Sequence, residues 1–328
     1  MNIVLTGSVA FDYLMVFPGY FRDHILPDHL DSLSLSFLVE SMVRLRGGVA
    51  PNIAYTLALL GQHPYLLATA GEDFEEYGAW LESKGVDTRG VRRIPGEYTA
   101  SFFANTDRAN NQIASFYPGA MAYASQLSLE ELDGVHPDLV LVSPNDPAAM
   151  AAHVAECQAL HLPYIYDPSQ QIVRLTSGDL RSGLIGALAL FVNEYEFALI
   201  QKAIAMDQEQ ILEYIEFMVV TQGEKGATIY TRDSSVSVPI VLPQRIVDPT
   251  GVGDAFRGGF LTGYSHSLDW ETCGQMGSLA ATYCLEQRGP QAHSYTPAEF
   301  VSRFYRYFGD QGKLDFLLEQ PDPSKAAG

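Results

Sequence analysis

DPTGVGDAFRGGF, residues 248–260, is the stretch from which the rest of the chain is read. Two glycines flank Val252, Asp254 follows at once, and a helix-like run opens behind it. Glycine inside a helix costs roughly 1 kcal/mol relative to alanine, yet Gly258 and Gly259 stand side by side in that run. The commoner nucleotide loops do not fit. No GxxxxGK[ST] occurs, and Phe256 takes the place of the third glycine that a dinucleotide fingerprint needs. What remains is a flexible turn that becomes a helix, with a carboxylate at its entrance. Such a turn offers unpaired N–H groups and the positive end of the helix dipole, and anions bind there. Asp254 beside them is placed to take a proton from a hydroxyl, a combination suited to phosphoryl transfer. A plain structural purpose also fits: Asp254 complements the dipole and the glycines make a turn.

Outward from this stretch, NIVLTGS, YLLATAG, LVLVSP, YIYDPS, LALFVNE and FMVVTQG read as buried strands. Segments of helical period, such as 51–60 and 147–160, lie between several of them. That alternation predicts an α/β fold with a largely parallel central sheet and helices on both faces. Ser8, Asn145, Asp167, Ser169, Asn193 and Thr221 fall at or just past strand carboxyl ends, where open α/β sheets bind ligands. Two segments break the rhythm. SLSLSFLV (32–39) alternates polar and apolar like a half-wet strand, and YTASFFAN and NQIASFY, joined by TDRAN, read as a hairpin. Together they are expected to form a small sheet beside the body, a lid; an edge extension of the main sheet is the other reading. The tail EQPDPSKAAG is expected to be disordered.

The chain has 328 residues, 47% of them hydrophobic, enough for a full core. Its 20 basic and 39 acidic residues give a net charge of −19, which disfavours nucleic acid and anionic membrane as partners. A small anion held by backbone amides is compatible with that balance. Three scattered cysteines do not make a disulfide framework. No Lys or Arg precedes Arg22, unlike a signal peptide, and runs such as LIGALALFV are too short for a bilayer. A soluble, cytoplasmic setting is expected. His153, Cys157 and His161 recur at i, i+4 and i+8, but successive members drift by about 40° on a helix and lack a fourth ligand. No metal site is expected there.

DPTGVGDAFRGGF resembles the C-terminal signature of the ribokinase-like family of sugar and nucleoside kinases, usually DTxGAGD, with Pro249 for threonine and Val252 for alanine. RGGVAPNIAYTLALLG (46–61) is similar to that family's N-terminal Gly-Gly signature. Within the family, TGSVAFDYLMVFPG, SLSFLVE, QIASFYPGAM, DPSQQ and DPTGVGDAFR look like the adenosine kinases of the mycobacterial type. The resemblance covers nearly the whole chain. It implies a three-layer α/β/α sandwich with a body of residues 1–11, 47–94 and 120–320, a β-lid of 12–46 and 95–119, and a tail of 321–328. It also implies ATP-dependent phosphorylation of the adenosine 5′-hydroxyl, giving AMP and ADP for purine salvage. Mg²⁺ and a monovalent cation such as K⁺ are the implied cofactors, adenosine and ATP the partners, and a monomer or homodimer the assembly.

The roles implied by that resemblance are specific. Asp254 is the general base, and Gly251, Val252 and Gly253 hold the transferring phosphate through their amides. Ser8, Asp12, Gly48 and Asn52 grip the ribose, Asp12 accepting from two adjacent hydroxyls, and Ser36 reaches in from the lid. Phe102 and Phe116 sandwich the purine, while Gln170 and Gln171 add polar contacts. Asn193, Thr221, Gly223 and Gly226 line the nucleotide. Asn193 and Glu196 support Mg²⁺ through water. Arg257 either faces the site or lies on the surface. The competing functions are a sugar kinase or broader purine nucleoside kinase of the same fold, and a nucleoside-binding protein without catalysis.

Overall fold

A computed structural model of the chain describes residues 1–25, 34–132, 134–309 and 312–319. Most of the tail, residues 320–328, and the start of the 32–39 segment lie outside them.

Two sheets organise the described residues. The strands are β1 (Ile3–Thr6), β2 (Ala10–Val16), β3 (Ser41–Gly47), β4 (Tyr65–Ala70), β5 (Val91–Arg93), β6 (Ala100–Thr106), β7 (Gln112–Tyr117), β8 (Leu139–Val142), β9 (Tyr164–Tyr166), β10 (Ala189–Asn193), β11 (Phe217–Thr221), β12 (Ala227–Thr231) and β13 (Ser235–Val238). The large sheet runs β13-β12-β11-β10-β9-β8-β1-β4-β5. It is parallel from β11 to β5 and antiparallel at the β12 and β13 edge. The six apolar runs supply six of its parallel strands. The seventh, β5, is Val-Arg-Arg, so no apolar run marks it.

The helices are α1 (Val49–Leu59), α2 (Glu75–Glu82), α3 (Pro147–Ala159), α4 (Ser177–Leu184), α5 (Glu194–Ile204), α6 (Gln208–Leu212), α7 (Val252–Ser265), α8 (Trp270–Leu285) and α9 (Pro297–Phe308). Strand residues alternate between two cores, as the pleat requires. Leu5, Leu141, Phe191 and Val219 join Ile53 of α1, Leu81 of α2 and Phe260 of α7. Val4, Val140, Leu190 and Met218 join Met150 of α3, Leu180 of α4 and Ile200 of α5. The result is the expected three layers, each apolar side chain that it buries contributing roughly 1.5–3 kcal/mol.

The paired glycines of α7 have a packing reason. A Cβ at Gly259 would lie 2.5 Å from the Met276 carbonyl oxygen on α8, and one at Gly258 would lie 2.6 Å from the Thr56 Cβ on α1. Two helices therefore close on α7 from two sides, nearer than any side chain there allows.

The small sheet runs β3-β2-β6-β7. The expected hairpin is present as antiparallel β6 and β7, and β2 lies parallel to β6 and antiparallel to β3. The strand expected at 32–39 is corrected: its described part, 34–39, is irregular, and the lid strand is 41–47. Both windows alternate, so alternation does not choose between them. The ladder does, pairing Val16 with Ser41 through to Ala10 with Gly47. Upstream, the Phe37 ring is taken up among Phe17, Phe21 and His24, which holds that segment off the ladder.

Candidate active site

The centre of the site is the start of α7. Gly251 caps it at φ 76, and a Cβ there would lie 2.3 Å from the Pro290 Cβ. Backbone hand and crowding both demand glycine. The amide of Val252 is spent on a 3.3 Å turn bond to the Pro249 carbonyl. Those of Gly251, Gly253 and Asp254 meet no acceptor among the described residues. Three free amides therefore gather at the start of α7, those of Gly251, Gly253 and Asp254 and not that of Val252.

Asp254 is held from α1. Asn52 Nδ2 donates to Asp254 Oδ2 at 2.8 Å. Asn52 is itself oriented by Gln291, whose Nε2 donates to Asn52 Oδ1 at 2.7 Å and reaches the Tyr77 hydroxyl at 2.5 Å. The Tyr77 hydroxyl in turn donates to the Gly47 carbonyl at 2.9 Å. Burial pushes the Asp254 carboxyl up to about 7, with Asp167 and Glu196 adding repulsion, while Arg257 and Asn52 pull the other way. A base balanced near neutral pH is suited to removing a hydroxyl proton.

Arg257 is buried and faces inward, settling the open choice. Its Nη2 donates to Asp167 Oδ1 at 2.8 Å, its Nε lies 2.5 Å from Asp167 Oδ2, and its Nη1 donates to the Gly253 carbonyl at 3.0 Å. Burial works against its charge, but Asp167, with Asp254 and Glu196, holds its pKa above the ordinary value. The first turn of α7 is thus clamped to the end of β9.

The residues expected around the ribose converge on the same place. Ser8 follows β1 and its Oγ accepts from Val49 N at 3.4 Å, at the start of α1 that Gly48 caps. Asp12 lies in β2 beside Gly47; burial and then the charge of Asp248 push its carboxyl up to about 6. In the small sheet Leu45, Asp12, Phe102 and Phe116 are successive register partners across β3, β2, β6 and β7, so all four share one face. Phe102 is half-buried and Phe116 exposed.

Three expected contributors make no hydrogen bond to these groups among the described residues. Ser36 is exposed in irregular chain and makes no hydrogen bond among the described residues. Gln170 is exposed and its Oε1 accepts from Ser169. Gln171 is buried with its Oε1 unpartnered.

A cavity of 680 Å³ accounts for the nucleotide side. Asn193, Thr221, Gly223 and Gly226 all line it, and it extends to Val252 and Gly253 at the start of α7. Its apolar wall of Ile240, Leu242 and Ile246 was not foreseen. Leu242 and Ile246 are 65% and 76% exposed, which leaves this apolar wall open to solvent. Asn193 and Glu196 form a reciprocal capping box at the start of α5, each accepting from the other's backbone amide at 2.8 Å. Glu196 Oε1 also accepts from Ser169 at 3.1 Å. Among the described residues no three His, Cys, Asp or Glu gather as metal ligands. The pair therefore fits magnesium through water and not as a closed site.

Gln291 and the Asp167–Arg257 pairing were missed because both are contacts over great sequence separation, with no local pattern to announce them. No helix among the described residues is long and apolar enough to cross a membrane.

Comparison with known proteins gives the family and the fold. The chain is 27% identical over 308 residues to a nucleoside kinase of Methanocaldococcus jannaschii, covering 93% of this chain and 97% of that one. It resembles the nucleoside kinase of Burkholderia thailandensis in complex with inosine, with a TM-score of 0.85 and 35% identity over 94% of this chain and 99% of the other. The same Burkholderia enzyme in complex with ADP-inosine gives a TM-score of 0.82 and 37% identity, over 94% and 97%. The fold is ribokinase-like, and residues 9–297 match the profile of the pfkB family carbohydrate kinases. A match of that extent, over a helix start with free amides and a poised carboxylate, makes the chain a kinase of the pfkB family.

Proposed function

We propose that this kinase uses ATP to phosphorylate the 5′-hydroxyl of purine nucleosides, adenosine among them. The observation that carries the reading is the row Asp12, Phe102, Phe116 on one face of the small sheet. A carboxylate beside two aromatic rings suits a vicinal diol joined to a flat base, whereas a free sugar needs more hydroxyl partners than that row has. The Methanocaldococcus and Burkholderia relatives are nucleoside kinases, and the Burkholderia enzyme is found with inosine. Inosine there favours acceptance of several purines over strict adenosine specificity.

In this reading the purine lies against Phe102 and Phe116, and Asp12 accepts from the 2′- and 3′-hydroxyls. Asp254, kept in place by Asn52, receives the 5′-hydroxyl proton as that oxygen attacks the γ-phosphate in line. Free amides of Gly251, Gly253 and Asp254 take up the charge developing on the transferred group. The nucleotide base rests in the apolar cavity beside Leu242. Magnesium would neutralise phosphate charge, with Asn193 and Glu196 as its water-mediated neighbours. The small sheet excludes water from the reacting atoms.

A substrate panel with Mg-ATP tests the proposal: adenosine, inosine, guanosine, ribose and fructose, scored by kcat/KM. The nucleosides should exceed the sugars. Ribose or fructose as the best acceptor would overturn the nucleoside assignment, and adenosine bound without turnover would leave a binding protein.

A further inference from the structure

A second cavity, of 390 Å³, opens along β3, the edge strand of the small sheet, between it, α2 and the chain that follows α8. Arg44 and Arg46 pair in register with Tyr13 and Phe11 and so face away from the Asp12 row. Arg288 joins them from the loop after α8, giving three guanidinium groups against one lining carboxylate, Glu76. In a chain of net charge −19 that concentration is unexpected. Arg46 Nη2 lies 3.0 Å from Glu76, Arg44 Nη2 3.7 Å from Asp73, and Arg288 is exposed with no ion pair among the described residues.

The guanidinium planes are held by rings. Arg44 lies 3.6 Å from the Phe11 centroid and Arg46 lies 4.6 Å from that of Trp80. Stacking fixes the planes; Arg46 spends one N–H on Glu76, and the other N–H groups remain for bidentate recognition of phosphate. The cavity is also of the size of small-ligand sites, roughly 300–1,000 Å³.

Its floor is the loop that supports the catalytic groups. Pro290 packs behind Gly251, and Gln291 holds Asn52, which holds Asp254. Leu45 of β3 lies over Gly289 of the same loop. A ligand seated here touches the small sheet and the body at once.

We propose that this cavity is a second ligand site, taking a phosphate monoester of sugar-phosphate or nucleoside-monophosphate size and acting on the active site through residues 288–292. The phosphate is gripped by Arg44, Arg46 and Arg288, and the remainder of the ligand lies against Leu45 and Pro290. Because the site is assembled from β3 and the loop together, occupying it favours the arrangement in which they meet.

Calorimetric titration tests this without relying on turnover or on the substrate assignment. Ribose 5-phosphate, AMP and inorganic phosphate are titrated at low salt into the full chain, with and without excess non-hydrolysable ATP analogue. At least one monoester should bind in the presence of the analogue, more weakly as salt rises. Arg288→Gln, at an exposed position that does not threaten folding, should weaken it about tenfold or more, and Arg288→Lys should keep most of the affinity. Which monoester binds better identifies the source of the phosphate. No heat with any probe, or binding abolished by the analogue, or equal affinity in wild type and Arg288→Gln overturns the site. The coupling is tested separately: adenosine should alter the monoester Kd and the monoester the adenosine Kd by one common factor. Unchanged affinities would sink the coupling alone.

Discussion

Asn52→Leu separates proton transfer from substrate grip. Asn52 contributes one hydrogen bond to the Asp254 carboxylate, at 2.8 Å. A bond to a charged group is worth about 1.5–3 kcal/mol, and 1.36 kcal/mol is one pKa unit, so the Asp254 pKa should climb by roughly one to two units. Starting from about 7, the ionised share at pH 7 falls from about half to roughly 1–10%. kcat/KM at pH 7 should then fall about five- to fiftyfold, because only the ionised carboxylate accepts the proton. The loss should fade as pH rises past the new pKa. Leucine keeps the γ-branched shape of asparagine with added bulk, and Gln291 keeps its bond to Tyr77, so the fold should persist. The assay is kcat/KM for adenosine from pH 5.5 to 9.5, since that ratio reports the pKa of the free enzyme. An acidic limb that does not move, with activity lowered equally at every pH, would refute the argument and make Asn52 a ribose contact only.

Other perturbations give distinct signatures. Asp254→Asn should cut kcat by about 10²–10⁴ while leaving adenosine affinity intact; near-normal turnover removes the base role. The same change should raise the melting temperature. The carboxyl sits at about 7 in the fold against an ordinary 3.8, so wild-type stability falls as pH rises from about 4 to 7. The variant's advantage should therefore grow over that window, and equal melting curves at pH 8 would contradict the burial argument. Phe102→Ala should raise the nucleoside KM with little change in kcat, and an unchanged KM argues against base stacking. Arg257→Leu leaves Asp167 buried without its partner and should cost about 3–5 kcal/mol in urea unfolding. Gly259→Val drives a side chain into the Met276 carbonyl and should lower stability by about 1–3 kcal/mol or more; an unaltered midpoint would contradict the close approach.

What could be read from the chain alone follows from how local each signal is. The inner strands are short apolar runs bounded by turns, so they are visible one at a time. The glycine turn before Asp254 is visible for the same reason, since φ, amides and carboxylate all belong to seven consecutive residues. Register is different. Residues 32–39 and 41–47 alternate equally well, and only pairing with β2 tells them apart. The N-x-x-E pattern at Asn193 also builds a helix cap, in which Asn193 Oδ1 and Glu196 Oε2 each accept one backbone amide. Gln291 lies 239 residues from the Asn52 it orients, and such distances leave no trace in periodicity.

The glycines of α7 bear on how this architecture tolerates change. With α1 and α8 drawn against its backbone, the helix that presents the amides is an immovable post, unable to slide or rotate without separating its neighbours. Adaptation to a new acceptor must fall on the thin curved panel of strands opposite, where rings and carboxylates can be exchanged singly. The body is thereby fixed machinery and the small sheet an interchangeable fitting, which on the proposed function makes that panel the place to redirect by design what receives the phosphate.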